Sequence, residues 1–255
     1  MRRADGVPAC AVPGSSATVL PMARHVHITG ANRGIGLAIA QRFLAAGDTV
    51  STIYIGDEPP NPIDGIVGDV RDSEVVNSAM DAFEAKHGPI DVLVANAGIT
   101  RDGFLIRMSD DDFDSVIGVN LAGAFRCVRR ASTSMIRKKS GRIILIGSVV
   151  GLRGNKSQVN YSSSKAALVG MARSLTHELG SRGITANVIA PGFINTAMTA
   201  QLGEDVQQGY RDSIPVGRFG EADEVAGAAF FLASDDAAYI SGAVIPVDGG
   251  LGLGH

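Results

Sequence analysis

Short runs of β-branched and apolar residues alternate along this chain with longer stretches whose apolar positions recur every three or four residues. The runs at residues 26–28, 49–55, 63–67, 91–94, 142–147, 184–189 and 243–247 predict strands. A helix is predicted after the first run, where Ile35, Ile39, Ala40, Phe43 and Leu44 share one face. Further helices are predicted over 73–87, 110–139, 160–181 and 221–233, the third with Ala167, Met171, Leu175 and Leu179 four apart. Strands that alternate with helices predict an α/β fold, a doubly wound parallel sheet with helices on both faces. Its crossovers should be right-handed and its ligands should lie at the carboxyl ends of the strands. No internal repeat exists beyond this alternation.

The first strand and helix are joined by Thr29-Gly30-Ala31-Asn32-Arg33-Gly34-Ile35-Gly36. A strand, a glycine turn and a helix form the setting of a dinucleotide site. Gly30 allows the tight turn, Gly34 lets backbone approach phosphate, and Gly36 lets helix and strand pack closely. The helix N-terminus offers N–H groups and a positive dipole end to a pyrophosphate. The glycines are spaced Gly-x-x-x-Gly-x-Gly rather than Gly-x-Gly-x-x-Gly, and the flanking elements set them apart from an ordinary turn. Arg33 can reach a ribose 2′-phosphate. An NAD site would place an acid at the end of the second strand. Tyr54 and Ile55 stand there instead, and the first carboxylates come later, at Asp57 and Glu58. The residues favour NADPH.

Tyr161 and Lys165 are four apart, about one helical turn, so phenol and ammonium share a face. A nearby cation favours the phenolate and should lower the tyrosine pKa from its usual value of about 10. That would make Tyr161 a tuned general acid. Ser148 ends the strand predicted over 142–147 and supplies a second hydroxyl.

The chain has 255 residues and a formal net charge of -3, which suits one domain and argues against nucleic-acid binding by bulk attraction. No apolar run approaches the roughly 20 residues that cross a bilayer. Cys10 and Cys127 lie in different settings and read as free thiols in a reducing cytoplasm. Residues 1–22 carry Arg2 and Arg3 with no apolar segment behind them, which reads as a flexible tail rather than a signal peptide. Met22 could be an alternative start. Residues 23–255 would then form one nucleotide-binding domain.

The glycine loop, Asn96-Ala97-Gly98, Asn120, Ser148, the Tyr161/Lys165 pair and Pro191-Gly192 occur in an order that resembles the short-chain dehydrogenase/reductase family, with its Rossmann-type domain. The resemblance covers residues 24–255. Residues 98–102, 146–151 and 190–194 are similar to the β-ketoacyl-[acyl-carrier-protein] reductases of fatty-acid synthesis. The tail, the Asn96 motif and residues 241–250 resemble their mycolate-pathway branch, which reduces longer acyl chains. This likeness implies that Tyr161 protonates the carbonyl oxygen as the nicotinamide delivers hydride. Lys165 would tune it and bind the ribose, Ser148 would hydrogen-bond the substrate oxygen, and Asn120 would hold a water of a proton relay. Asp69 and Val70 would meet the adenine, and Asn96 and Gly98 its ribose. Pro191, Gly192, Ile194 and Thr196 would flank the nicotinamide. The acidic carrier protein would dock at Lys139 and Arg182. The family is usually a homotetramer, and Val116, Ala124, Cys127 and Val128 on one helix, with Ala167, Val169, Gly170 and Ala172 on another, would pack against copies. The long-chain branch has a second arginine where this chain has Ile55.

Plainer readings stand beside these. Asn120 could face solvent from mid-helix. His25 and His27, two apart on a strand, read as structural rather than as metal ligands. The basic group around Arg137, Lys138 and Lys139 suits a solvated helix end. Met171 reads as packing, and Met198 as packing or the border of an acyl channel. The alternatives in function are an acetoacetyl-CoA reductase, another ketone or alcohol oxidoreductase, and a non-catalytic nucleotide sensor. Acyl chain length should depend on the shape of the loop near residues 196–212.

Overall fold

The computed structural model describes residues 23–196 and 203–253. The predicted tail over 1–22, with Cys10 in it, and Met198 lie outside them. Seven strands form one parallel sheet: β1 (His25–Ile28), β2 (Thr49–Tyr54), β3 (Asp64–Val67), β4 (Val92–Ala95), β5 (Gly141–Ile146), β6 (Ile184–Pro191) and β7 (Val244–Val247). Their spatial order is β3-β2-β1-β4-β5-β6-β7. The order reverses between β1 and β4, so the crevice for a ligand opens above those two strands.

Both faces are covered, as the near-continuous apolar strands require. Helices α1 (Gly34–Ala45) and α8 (Ala222–Leu232) pack on one face over Ile28, Ile39, Phe43, Ile144 and Val225. Helices α2 (Ser73–His87), α4 (Ala124–Lys138) and α6 (Val159–Leu179) cover the other over Met80, Phe83, Leu93, Met135 and Leu145. Two short helices escaped the periodicity reading, α5 (Val149–Arg153) and α7 (Glu204–Ser213). Five and ten residues are too few for a clear apolar period.

The helix predicted over 110–139 is broken. It comprises α3 (Asp110–Ile117), a π-helical segment Gly118–Gly123, and α4. Gly123 lies against Val70, which a Cβ at Gly123 would meet at 2.6 Å. The π turn is a feature found often at functional sites, and Asn120 sits inside it.

Five of the eight residues expected to meet another copy are turned inward, whereas Ala167 and Val169 are half-buried and Gly170 is exposed. Val116, Ala124, Cys127, Val128 and Ala172 are buried in this chain's own core. Their small size serves packing of α4 and α6 on the sheet. The outward face of α4 carries Phe125, Arg129 and Ile136, all exposed, and that of α6 carries Val159, Ser163, Ala166 and Gly170.

The two strand histidines are buried and belong to one hydrogen-bonded chain. His25 Nε2 and His27 Nδ1 each lie 2.8 Å from Ser51 Oγ, and His25 Nδ1 is 2.8 Å from the Gly88 carbonyl. Only one arrangement supplies a hydrogen to every contact: His27 donates to Ser51, Ser51 to His25, and His25 to Gly88. Burial holds both imidazoles below their usual pKa, His27 at about 3.

Candidate active site

The glycine loop is anchored from two sides. Gly30 N donates to Ile53 O on β2, and Ala31 N to Thr52 Oγ1. Thr29 Oγ1 accepts from the Asn96 and Ala97 amides, and Asn96 Nδ2 donates to the Thr29 and Gly30 carbonyls. Asn96 therefore ties the end of β4 to the loop after β1. Gly36 is required by space, since a Cβ there would lie 2.3 Å from Gly30 O. Gly30 and Gly34 have φ of 70° and 54°, the left-handed region open to glycine.

The N-terminus of α1 is bare. Its N-cap, Arg33, makes no side-chain cap, and its first turn holds no acid. By contrast Asp72 caps α2, Ser109 caps α3, and Glu221 with Glu224 forms a capping box on α8. Free N–H groups at a glycine-lined helix start fit a pyrophosphate. Thr196 Cγ2 stands across from Gly34, 3.9 Å from where a Cβ would be. The Arg33 side chain is exposed. Asn32 Nδ2 donates to the Ile55 and Asp57 carbonyls, which holds the end of β2 beside the loop. Ile55 is exposed at that end.

Asp69 and Val70 sit at the end of β3 and differ from each other. The Asp69 carboxylate pairs with Arg71 at 2.7 Å, and Arg71's hydrogen bond holds its pKa below the usual range. The Val70 side chain is buried under Gly123. Pro191 ends β6, and Gly192 N donates to Val247 O. Ile194 is buried and bridges to Gly220.

The residues predicted for chemistry converge at the carboxyl ends of β4 and β5. Ser148 is the N-cap of α5, accepting from Val150 N at 3.1 Å. Tyr161 and Lys165 are on the first turns of α6. Lys165 is 5% exposed, and its Nζ donates to Ile146 O at 2.7 Å and lies 5.7 Å from the Tyr161 ring centre. Gly98 backs onto both Lys165 Nζ and Asn120 Oδ1. Asn120 is 1% exposed, which rules out the solvent-facing reading. Its Oδ1 accepts from Ile99 N at 2.8 Å, and its Nδ2 donates to Ile99 O and Ser164 Oγ, each at 3.1 Å. Both amide donors are used, so the side chain is a brace between the loop after β4 and α6.

Sequence reasoning missed two members of this brace. Ser164 Oγ donates to Tyr161 O at 2.7 Å and receives Asn120. Asn160 is buried, accepts from Tyr161 N at 2.8 Å, and donates to the Arg101 and Asp112 carbonyls. A polar residue directly before Tyr161 and one directly before Lys165 were the available signals.

The electrostatics differ from the tuned acid that spacing alone suggested. Burial pushes the Tyr161 phenol above its ordinary range, the Ser148 hydrogen bond pulls it back, and Asp102 raises it. Lys165 is not among the influences on it here. Burial instead lowers Lys165 from 10.5 to about 8. The ammonium spends its charge on the Ile146 carbonyl and on desolvation.

Among the described residues no cluster of three or more His, Cys, Asp or Glu could hold a metal, and no helix is long and apolar enough to cross a membrane. The family model described as enoyl-(acyl carrier protein) reductase matches residues 30–252. The chain is 53% identical over 234 residues to the 3-oxoacyl-[acyl-carrier-protein] reductase MabA of Mycobacterium tuberculosis, covering 92% of this chain and 95% of that protein. It is 44% identical over 232 residues to the 3-oxoacyl-[acyl-carrier-protein] reductase FabG of Escherichia coli, covering 88% and 95%.

A stability prediction follows from Lys165. Between pH values of about 8 and 10.5 the unfolded chain keeps a proton that the folded chain has lost. Stability should therefore rise with pH through that window, and below it the buried ammonium costs about 3 kcal/mol. Lys165→Met removes the charge and also the Ile146 hydrogen bond, which offsets about 1 kcal/mol. The nucleotide-free variant should be about 2 kcal/mol more stable than the parent at pH 7. That advantage should vanish as pH approaches 10.5 in thermal melts, and a pH-independent difference would contradict the assignment.

Proposed function

We infer the reaction from lineage and site together: the chain belongs to the short-chain dehydrogenase/reductase family, and relatives sharing about half its residues are named 3-oxoacyl-[acyl-carrier-protein] reductases. It reduces β-ketoacyl-[acyl-carrier-protein] to the β-hydroxyacyl form in fatty-acid elongation, including that of long acyl chains, with NADPH in the cytoplasm. The observation that carries this reading is the grouping of half-buried Ser148 and Tyr161 with buried Lys165, beside a glycine-rich loop with an uncapped helix start. A nucleotide sensor would have no use for a proton donor.

The bound nicotinamide supplies hydride to the β-carbon. Every other task falls to the chain. The α1 amides and the glycine loop hold the pyrophosphate, and Arg33 takes the 2′-phosphate. Asn96 and Gly98 line the adenosine ribose. Asp69 and the Val70 backbone border the adenine. Pro191, Gly192, Ile194 and Thr196 bound the nicotinamide side. Ser148 and Tyr161 point two hydroxyls at the oxygen on the carbon that receives hydride, where negative charge develops. Tyr161 gives up its proton there. Its raised pKa in the ligand-free protein keeps it protonated, and Lys165, 5.7 Å from its ring centre, would hold the nicotinamide ribose. Asn120 keeps α6 and the loop after β4 in register.

The family model's description raises enoyl reduction as a second reading. In that reaction charge develops on the thioester oxygen, three bonds away from the carbon that receives hydride. Two donors clustered on one oxygen suit ketone reduction better. Tyr161→Phe should lower reduction of a β-ketoacyl thioester by at least ~100-fold while NADPH still binds. The parent should leave an enoyl thioester unreduced. Near-normal turnover by the variant would reject the mechanism, and enoyl reduction by the parent would reject the substrate.

Arg33 is the one cation assigned to the 2′-phosphate, because Ile55 occupies the place of a second. Arg33→Ala should weaken NADPH by roughly 10–150-fold, the worth of a charged hydrogen bond, and NADH much less. Fluorescence titration with both nucleotides decides this, and equal losses would mean that Arg33 does not read the phosphate.

Lys139 and Arg182 lie side by side, since a Cβ at Gly183 would meet Lys139 O at 2.7 Å. Yet they precede β5 and β6, at the opposite edge of the sheet from Ser148 and Tyr161. A six-residue strand separates them by about 20 Å. A carrier protein docked there serves the site of another copy. Antiparallel two-fold pairing of the outward faces of α4 and α6 brings the foot of one sheet beside the head of its neighbour. Phe125, Ile136 and Val159 would bury apolar surface in it. A second two-fold contact across edge strand β7 completes a homotetramer. Light scattering should give a mass near four chains, and Phe125→Glu should give smaller species with lower activity on carrier-protein substrate. A fully active monomer would refute the arrangement.

A further inference from the structure

A cavity of about 380 Å³ opens beside Ser148, between α5 and α7. Its inner wall includes Val149 and Phe193, with Tyr210 stacked on Phe193 at 4.1 Å between ring centres. Val149 is buried, whereas Arg153, Gly154 and Asn155 further along the same wall are exposed. The cavity therefore runs from an apolar floor near the reacting centre to a polar rim. Among the described residues Arg153 is the one charged side chain that lines it.

Arg153 is held but not neutralised. Its Nη1 donates to Leu251 O at 3.1 Å, which fixes the guanidinium across the rim. It makes no ion pair among the described residues, and four of the five N–H groups of its fork are left over. Asp102, the acid of the facing loop, is taken up by the Gln158 amide, which is joined to Asn155. An aliphatic acyl chain would gain nothing from this cation. A long, mostly apolar ligand that ends in an anion would gain from the stacked rings and the fork together.

We propose that Arg153 binds the phosphate of the phosphopantetheine arm that carries the acyl group, with the arm lying along Phe193 and Tyr210. This rests on the reading of the protein as a β-ketoacyl thioester reductase. The phosphate is common to carrier-protein and CoA thioesters, so Arg153 recognises what the two carriers share.

The test compares β-ketobutyryl thioesters of pantetheine and of 4′-phosphopantetheine. The parent should prefer the phosphorylated substrate by about tenfold or more in kcat/KM, the worth of a hydrogen bond to a charged group. Arg153→Gln should bring the ratio close to one, and Arg153→Lys should restore part of it. Both rates come from one preparation, so loss of folded protein cancels in the ratio. The variant should also lose efficiency on CoA and carrier-protein thioesters alike. A parent ratio near one, a ratio retained in Arg153→Gln, or a loss confined to the carrier protein would each overturn the assignment. Reduction of both pantetheine substrates with equal efficiency removes this role and leaves the function standing, whereas failure to reduce any thioester removes both.

Discussion

The arrangement depends on keeping one ammonium dry. Lys165 is almost wholly buried, and among the described residues its one hydrogen-bond partner is the Ile146 carbonyl at the end of β5. Two glycines make the burial possible. Gly98 brings backbone against the Nζ, and Gly151 brings α5 against the Lys165 backbone, where a Cβ would lie at 2.8 Å. A charge in so dry a place is costly, and the lowered pKa is the measure of that cost. The same dryness strengthens any interaction the ammonium later makes with a ribose or a phenolate. Stability is given up in the ligand-free state for electrostatic reach in the liganded one.

Such a group stays in place only if its helix cannot shift. The first turn of α6 is therefore bonded on several sides: Asn160 to the Arg101 and Asp112 carbonyls, Ser164 to Asn120, and Asn120 to both backbone groups of Ile99. These are buried polar groups with every donor used, the kind of network that specifies one geometry. The π turn that holds Asn120 belongs to it. Beyond it α4 buries Ala124, Cys127, Val128, Ala131 and Met135, whereas α3 buries Val116.

Much of this was legible because it is written locally. Strand and helix periods, the glycine loop and the Tyr161/Lys165 spacing each lie within a dozen residues, and the sheet follows from their alternation. What depends on contacts distant in sequence was not legible. Nothing near Asn120 announces a π turn, and the close neighbour of that turn, Val70 against Gly123, lies some fifty residues away. The small residues of α4 looked like an interface because size says nothing about which way a side chain faces. Phe125 and Ile136, eleven residues apart and both exposed, marked the outer face instead. The Tyr161 pKa went the other way for a like reason: a spacing of four shows proximity, while burial is a property of the whole fold.

The placement of Lys139 and Arg182 turns that lesson toward function. Their basic character was visible in the sequence, yet its use depends on the sheet edge to which they belong. In a parallel sheet every helix returns the chain to the foot of the next strand, so residues at helix C-termini lie opposite the catalytic crevice. A docking patch there is of no use to its own subunit. Antiparallel two-fold pairing reverses that geometry without changing a residue. On this view the same outward faces of α4 and α6 brace the helix that carries Tyr161 and Lys165 and deliver a neighbour's docking patch to its mouth. Assembly and substrate capture would then be one event, and a monomer would lack both.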